Sequence, residues 1–370
     1  MKSRIGRARW LAAAVFVLTM GASVAQAQTP IRPDQPDMSI DAATRAAVLD
    51  GILAKLDARY VDPALAKRMH DAIAARRKRG EYDRITSASG FSDSLTAQLQ
   101  AVSHDRHLAV RYSHEPVPVS SDSLTPAEQA REDDFFRIRN YGFEQVERLR
   151  GNVGYIRLRG FAYSDEACKA AASAMQLLAH TDALIIDLRQ NGGGSGEMVQ
   201  LLCTYFMKPG DPVHLNDVYS RPENFTQQFW TLPWVPGPRY TERGVYLLTS
   251  KRTFSAAEEF CYNLQNLKRA TVVGETTGGG AHPVRFERLA ENFEMSLPYA
   301  KSINPLSGTN WEGTGVKPDI AVPADDALKT AHMLALKGLE TKVTDPTSIA
   351  EAIQDLEKTG ESRVPTTMPK

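Results

Sequence analysis

Cysteine is scarce in this 370-residue chain, with only Cys168, Cys203 and Cys261. A small, odd number excludes a disulfide scaffold and allows at most one bridge within a monomer. Each sits among apolar residues at helical spacing, so buried thiols are expected. Net charge is lacking as well. The 44 basic and 44 acidic residues give a formal charge of +0, which offers no electrostatic footing for nucleic acid as a partner. No apolar run reaches the roughly 20 residues of a membrane span. An HExxH metal motif, a GxGxxG fingerprint and a Gly-Lys-Ser/Thr phosphate loop are all absent, so neither metal nor cofactor is expected. There is no internal repeat and no low-complexity tract.

What is present suits a globular chain of one large or two ordinary domains, 42% hydrophobic and 24% charged. The first 27 residues stand apart. Lys2, Arg4, Arg7 and Arg9 precede an apolar run from Trp10 to about Met20, then Ala25-Gln26-Ala27. That is the pattern of a secretory signal, and it predicts export, with a bacterial periplasm as destination. Without those four basic residues the remainder holds 40 basic against 44 acidic residues and is mildly acidic.

The following stretch, 28–39, is rich in Pro and polar residues and reads as a disordered leader. Val48, Ile52, Leu56 and Tyr60 share one helical face, with Asp41 as cap. Asp62-Pro63 restarts a helix that Gly80 ends, and Phe91, Leu95, Leu99 and Val102 mark a third. Residues 40–112 are therefore expected to form a small all-α N-terminal domain, closing on a polar turn, Ser103 to His107, and a short strand. Residues 113–134 read as a linker, too short for an inserted peptide-binding domain. From 135 to 340 strands and helices alternate: strands at Val153–Leu158, Ala183–Leu188, Val245–Leu248, Thr271–Gly274 and Phe293–Leu297, with helices at Asp165–His180, Glu197–Met207 and Ala324–Leu339. This rhythm predicts an α/β core of mostly parallel strands, with a site built by loops at the strand ends. Residues 218–239 read as an ordered excursion with little regular structure, and 341–370 as peripheral.

Three loops concentrate the chemistry. Asp187-Leu-Arg-Gln-Asn-Gly-Gly-Gly194 can turn backbone N–H groups toward one point, as an oxyanion requires, or can simply reverse the chain. Ser255 opens a helix after a strand. Ser255-Ala-Ala-Glu258 is a capping box, and the same place would suit a nucleophile at the positive end of a helix dipole. The third loop, Gly274 to Pro283, carries three glycines and then His282. For a base the candidates are His107, beside Asp105, with His282 in reserve. His104 and His107 could also suggest a metal, but no second set of ligands supports it.

Four motifs in order carry a resemblance. They are Asp187-Leu-Arg-Gln-Asn-Gly-Gly-Gly, Thr249-Ser-Lys-Arg-Thr-Phe-Ser-Ala-Ala-Glu-Glu-Phe, Arg269-Ala-Thr-Val-Val-Gly-Glu-Thr-Thr-Gly-Gly-Gly-Ala and Trp311-Glu-Gly-Thr-Gly-Val-Lys-Pro-Asp-Ile. Together they resemble family S41 serine peptidases, which include tail-specific peptidases, the tricorn core and the retinoid-binding proteins, and most closely the retinoid-binding-protein-like branch. The resemblance implies a crotonase-like ββα core without a PDZ domain. It also implies a peptide or unfolded protein as substrate, and Ser255 as nucleophile. Tail-specific peptidases supply a lysine in a Gly-Lys-Gly segment, and the matching position here is Gly279, so the lysine is missing. The tricorn-like branch uses histidine and glutamate, which match His107 and Glu312. Arg106, directly before the histidine, departs from the pattern. Gly193 (or Gly194) and Ala256 would supply the oxyanion N–H groups. The alternative on the same fold is a non-catalytic binder of apolar ligands, with Phe225, Phe229, Trp230 and Trp234 as pocket wall. A pure scaffold would leave the site residues unexplained. Oligomeric state is not legible in the sequence.

Overall fold

The computed structural model describes residues 35–118, 126–341, 343, 346–360 and 362. The expected signal and most of the expected leader lie outside them. The last leader residues are ordered: the Gln35 side chain donates to the Tyr112 carbonyl at 2.8 Å, and Asp37 accepts from the Ser89 N–H at 2.9 Å.

Three helices open the fold, α1 (Ala42–Arg59), α2 (Pro63–Lys78) and α3 (Ala88–Ser103). Asp41 caps α1 by accepting from the Thr44 N–H, and Asp62 caps α2, with Pro63 in its first turn. Strand β1 (Ala109–Tyr112) follows, then α4 (Pro126–Arg137), which crosses the stretch expected to be a linker.

The core sheet contains β2 (Phe143–Leu149), β3 (Val153–Leu158), β4 (Ala183–Asp187), β7 (Gly244–Thr249), β8 (Thr271–Gly274) and β12 (Ile320–Ala321), in the order β12-β8-β7-β4-β3-β2. The pairs from β3 to β12 are parallel and β2 is an antiparallel edge. β4 is buried along its whole length, as a parallel strand covered on both faces must be. One face is covered by α5 (Asp165–Leu177), α6 (Gly196–Tyr205) and α7 (Ala256–Asn266). The other is covered by α8 (Ala327–Leu339) and α9 (Pro346–Thr359). The tail helix is thus less peripheral than expected, since Ile349, Ala352 and Leu356 are buried in that core.

Two strand expectations need correction. The stretch read as irregular contains a hairpin, β5 (His214–Ser220) and β6 (Phe225–Trp230), which pairs antiparallel with β11 (Ala300–Ile303). Within it Phe229 is buried, whereas Phe225 and Trp230 are exposed, as is Trp234 beyond it. These aromatics do not wall one enclosed pocket. The strand near Phe293, β10 (Phe293–Pro298), pairs antiparallel with β9 (Val284–Ala290) and β1, outside the parallel sheet. Phe293, Met295 and Leu297 then share a core with Ile52, Leu56 and Phe91. The helical N-terminal unit is therefore completed by a hairpin from far along the chain, because the apolar faces of α1 and α3 need a sheet to bury against.

Among the described residues no disulfide forms. Cys203 and Cys261 are buried and Cys168 is partly exposed. No helix of those residues is long and apolar enough to cross a membrane.

Candidate active site

Loops at the C-terminal ends of three neighbouring parallel strands, β4, β7 and β8, meet at one point, as expected for an open α/β sheet. Side chains lock the first two together. Asn191, fully buried, holds the glycine loop by donating to the Leu158 carbonyl at 3.0 Å. Its own carbonyl accepts from the Phe254 N–H at 3.0 Å. Thr253 Oγ1 donates to the Leu188 carbonyl at 2.9 Å.

Ser255 follows with φ 57° and ψ −125°, directly before α7. A non-glycine residue rarely adopts this backbone, and surrounding structure must impose it. The capping-box arrangement is present. Its firm half is the Ser255 N–H donating to Glu258 Oε2 at 2.8 Å. The Ser255 hydroxyl makes no cap hydrogen bond, and the Glu258 N–H donates to the Ser255 carbonyl at 2.8 Å instead. The cap thus shapes the backbone chiefly through the Glu258 carboxylate and the Ser255 carbonyl, and the hydroxyl makes no strong cap hydrogen bond.

Glu258 does more than cap. Its buried carboxylate also accepts from Thr277 Oγ1 at 2.5 Å and from the N–H groups of Gly279 and Gly280 at 2.7 and 2.8 Å. One side chain therefore joins the nucleophile turn to the third loop. Burial raises its pKa against the pull of those donors.

The glycine loop lies directly against Ser255. A Cβ on Gly193, whose φ is 111°, would sit 2.7 Å from the Ser255 Cβ and 3.1 Å from the Ala256 nitrogen, so only glycine permits this approach. The Gly193 N–H donates to Asn191 Oδ1 at 2.8 Å. Gly194 packs its α-carbon against the Phe161 backbone, with φ 142°. Ala256 opens α7, where the first N–H groups have no intrahelical acceptor.

His107 is buried, and its ring lies 4.5 Å from that of Phe254, the residue before Ser255. Burial pushes its pKa down to about 4 against the pull of the Asp105 charge. The ring is neutral near neutral pH, and its Nδ1 has no hydrogen-bond partner. His104 ends α3 in a left-handed conformation on the exposed side and takes no part.

Asp105, 1% exposed, is the hub of the site. It accepts from the His107 N–H at 2.9 Å, the Tyr60 hydroxyl at 3.1 Å and His282 Nδ1 at 2.7 Å. Burial alone would raise its pKa, but the His282 hydrogen bond and charge hold it low. Burial likewise pushes His282 down, and Asp105 with Glu312 brings it above its ordinary value. Both shifts favour the charged forms of the pair. Glu312 Oε2 lies 3.6 Å from His282 Nδ1 and accepts from the Ala281 N–H at 2.5 Å. Burial and the Asp105 charge raise Glu312 to about 7.

The structure thus places Gly193 against Ser255, His107 against Phe254, and Glu312 near His107 and Asp105, and sequence reasoning missed the linkage between Asp105 and His282. The signal was there, since both residues flank singled-out loops, but nothing in the chain pairs positions 177 apart. Asp105, His107 and Glu312 each bring one ligand atom within 4.8 Å of the others. Asp105 is already engaged with His282 and Tyr60, and Glu312 with the Ala281 N–H, which suits a proton network better than a metal cage.

One alignment needs revision. A side chain at Gly279 would meet the Gly313 and Gly315 backbone at 3.2 Å, away from Ser255. Gly280 is the position that faces His107 and Phe254. A Cβ there would lie 2.3 Å from the Phe254 ring and 2.6 Å from His107 Cε1. His107 fills the space into which a side chain at 280 would project.

Comparison with known proteins adds a family to this geometry. The model of peptidase family S41 matches residues 152–322. That of the N-terminal domain of peptidase S41 in eukaryotic IRBP matches residues 42–137. A carboxy-terminal-processing protease of Bartonella bacilliformis is 30% identical over 181 residues, 47% of this chain and 40% of the relative. The chain spans about two fifths of the length of the relatives it matches. In fold it is similar to a candidate peptidase of Parabacteroides merdae (TM-score 0.55, 18% identity, 81% of this chain and 99% of the other). It is also similar to mature CPAF (TM-score 0.54, 13% identity, 85% and 96%). One matched region carries His107 and Asp105, the other Ser255, His282 and Glu312, so the two matches between them take in all of these residues: the chain belongs to peptidase family S41.

Proposed function

We propose that this chain is an exported serine peptidase, acting in the periplasm on peptides or unfolded protein, with Ser255 as nucleophile, His107 as base and Glu312 behind it. The observation that carries the reading is Ser255 itself. Its backbone is forced to φ 57° at the start of a helix, and its hydroxyl makes no cap hydrogen bond. A structural cap would use that hydroxyl, whereas a nucleophile needs it available.

His107, neutral at physiological pH, takes the hydroxyl proton as Oγ attacks a peptide carbonyl. The developing oxyanion is met by the Ala256 N–H, with the Gly194 N–H alongside, since the Gly193 N–H is already given to Asn191 Oδ1. The C–N bond then breaks as His107 returns the proton to the leaving amine, and water releases the acyl group by the reverse sequence. Asp105 anchors the His107 turn through its backbone. Glycine at 279 and 280 supports this histidine chemistry over a lysine base.

A fluorophosphonate probe is expected to label the wild type and not Ser255→Ala. His107→Ala should stop cleavage of a peptide library while leaving the circular dichroism spectrum unchanged. Equal labelling of wild type and Ser255→Ala would remove the nucleophile from the reading.

A further inference from the structure

His282 reaches two carboxylates. Its Nδ1 lies 2.7 Å from Asp105 Oδ2 and 3.6 Å from Glu312 Oε2. His70 and His214, both more exposed, each meet one carboxylate. Ala281, the residue before it, gives its N–H to the same Glu312 oxygen, so two adjacent residues of one loop hold the Glu312 carboxyl. The two carboxylates are not equally occupied. Asp105 also accepts from the His107 N–H and the Tyr60 hydroxyl. Glu312, with the Ala281 N–H, keeps lone pairs to spare. A ring nitrogen of His107 lies within 4.8 Å of both acids, and its buried Nδ1 has no partner. Glu312 is therefore the acceptor left for that ring when it becomes imidazolium, a charge that a buried site cannot hold alone.

Resting on the serine-peptidase reading above, we propose that His282 is a positioning residue: a cation clamped between Asp105 and Glu312 that keeps Glu312 charged and placed for the imidazolium of His107. The surrounding charges set the balance. Asp105 and Glu312 favour the His282 cation, and Lys301 of β11 opposes it. Asp105 and Glu258 of α7 push Glu312 toward its neutral form, and His282 pulls it back. Arg106, beside Asp105 on the turn, acts with His282 to disfavour a charge on the resting His107. With the His282 cation removed, Asp105 keeps two donors and stays charged, so the proton goes to Glu312. The base then loses its anionic partner below the new midpoint, although His282 touches neither Ser255 nor the reacting atoms in this scheme.

The test is the pH profile of kcat/KM on a fluorogenic peptide for wild type, His282→Gln and His282→Lys. The wild type is expected to show an acid limb with its midpoint near 7, from Glu312. His282→Gln should move that midpoint up by about 1–2 pH units, losing about 10-fold or more at neutral pH and recovering most activity on the alkaline plateau. His282→Lys restores a cation and should keep the limb near its wild-type place. A loss in His282→Gln that is equal at every pH would overturn the proposal, since that is what a merely structural role predicts. Carbon-13 NMR of glutamate-labelled Ser255→Ala, with the signal assigned by Glu312→Gln, reads the same midpoint without any activity. A Glu312 midpoint that His282→Gln leaves unmoved would also overturn it. If the variants do not fold, the wild-type ring decides: His282 should be imidazolium at neutral pH, and a neutral ring would end the proposal. A midpoint that moves in the NMR titration of a protein without Ser255-dependent cleavage would retain the clamp and discard the nucleophile.

Discussion

Asp105 and His282 stand 2.7 Å apart, one on the turn that carries His107 and the other on the loop that Glu258 holds against the nucleophile turn. This pair bonds the two halves of the site directly, beside the hydrogen bond from Arg106 Nη1 to the Gly278 carbonyl. It is buried, with side-chain exposures of 2% and 13%, so breaking it leaves a charge with poor solvation. Asp105→Asn and His282→Gln are each expected to lower stability by about 3–5 kcal/mol. The double variant should lose less than the sum of the two. Urea unfolding of the four proteins measures the coupling, and strict additivity would show that the pair does not act as a unit.

Gly280→Ala should damage the site more than the fold. The added methyl would fall 2.3 Å from the Phe254 ring and 2.6 Å from His107 Cε1, so the base or its support must move. Displacement of a general base predicts a loss of about 10²-fold or more in kcat. Thermal unfolding should shift by only a few degrees, as for overpacking of about 1–3 kcal/mol. Unchanged kcat would mean that the cleft is looser than these contacts imply.

Glu258 is a structural keystone, and Glu258→Ala should unfold at markedly lower urea. Four hydrogen bonds end on its carboxylate, from Ser255, Thr277, Gly279 and Gly280. Removing the acceptor leaves buried donors unsatisfied, at about 1–3 kcal/mol for each that finds no water. A total loss near 3–5 kcal/mol is expected, together with loss of fluorophosphonate labelling. Wild-type stability in this variant would contradict the assigned role.

Stability should depend on pH through two groups of opposite sign. His107 has a folded pKa of about 4, below its unfolded value of 6.5. Its contribution is complete above 6.5 and is lost as pH falls toward 4, by roughly 3 kcal/mol in all. Glu312 is raised to about 7 from 4.5. Its contribution is complete below 4.5 and is lost as pH rises through 7. His107→Gln should therefore flatten the acid limb of the stability profile, and Glu312→Gln the alkaline limb. Chemical unfolding from pH 4 to pH 8.5 tests both. If either variant keeps the wild-type limb, the corresponding group does not titrate as assigned.

The sequence carried the periodic parts of this fold well. β3 runs from Val153 to Leu158 and β8 from Thr271 to Gly274, as their apolar runs and flanking turns indicate, and Asp41 and Asp62 cap the helices they precede. Local patterns suffice there because a helix cap or a buried strand is decided by a few adjacent residues. The hairpin β5–β6 was not legible, since polar residues such as Asn216, Asp217, Gln227 and Gln228 break the apolar alternation that marks a half-buried strand.

For the site, the chain by itself determined which residues are reactive: Ser255 at a strand-to-helix junction, glycines at 192–194 and 278–280, and histidines at 107 and 282. Tertiary structure alone decided which of them meet. It bound His282 to Asp105, placed Gly280 rather than Gly279 against His107, and turned a capping glutamate into the acceptor of four bonds. The physical reason is that reactivity follows residue type and local backbone, which lie along the chain. Hydrogen-bond partners and desolvation are set by groups that only packing brings within 3 Å of one another.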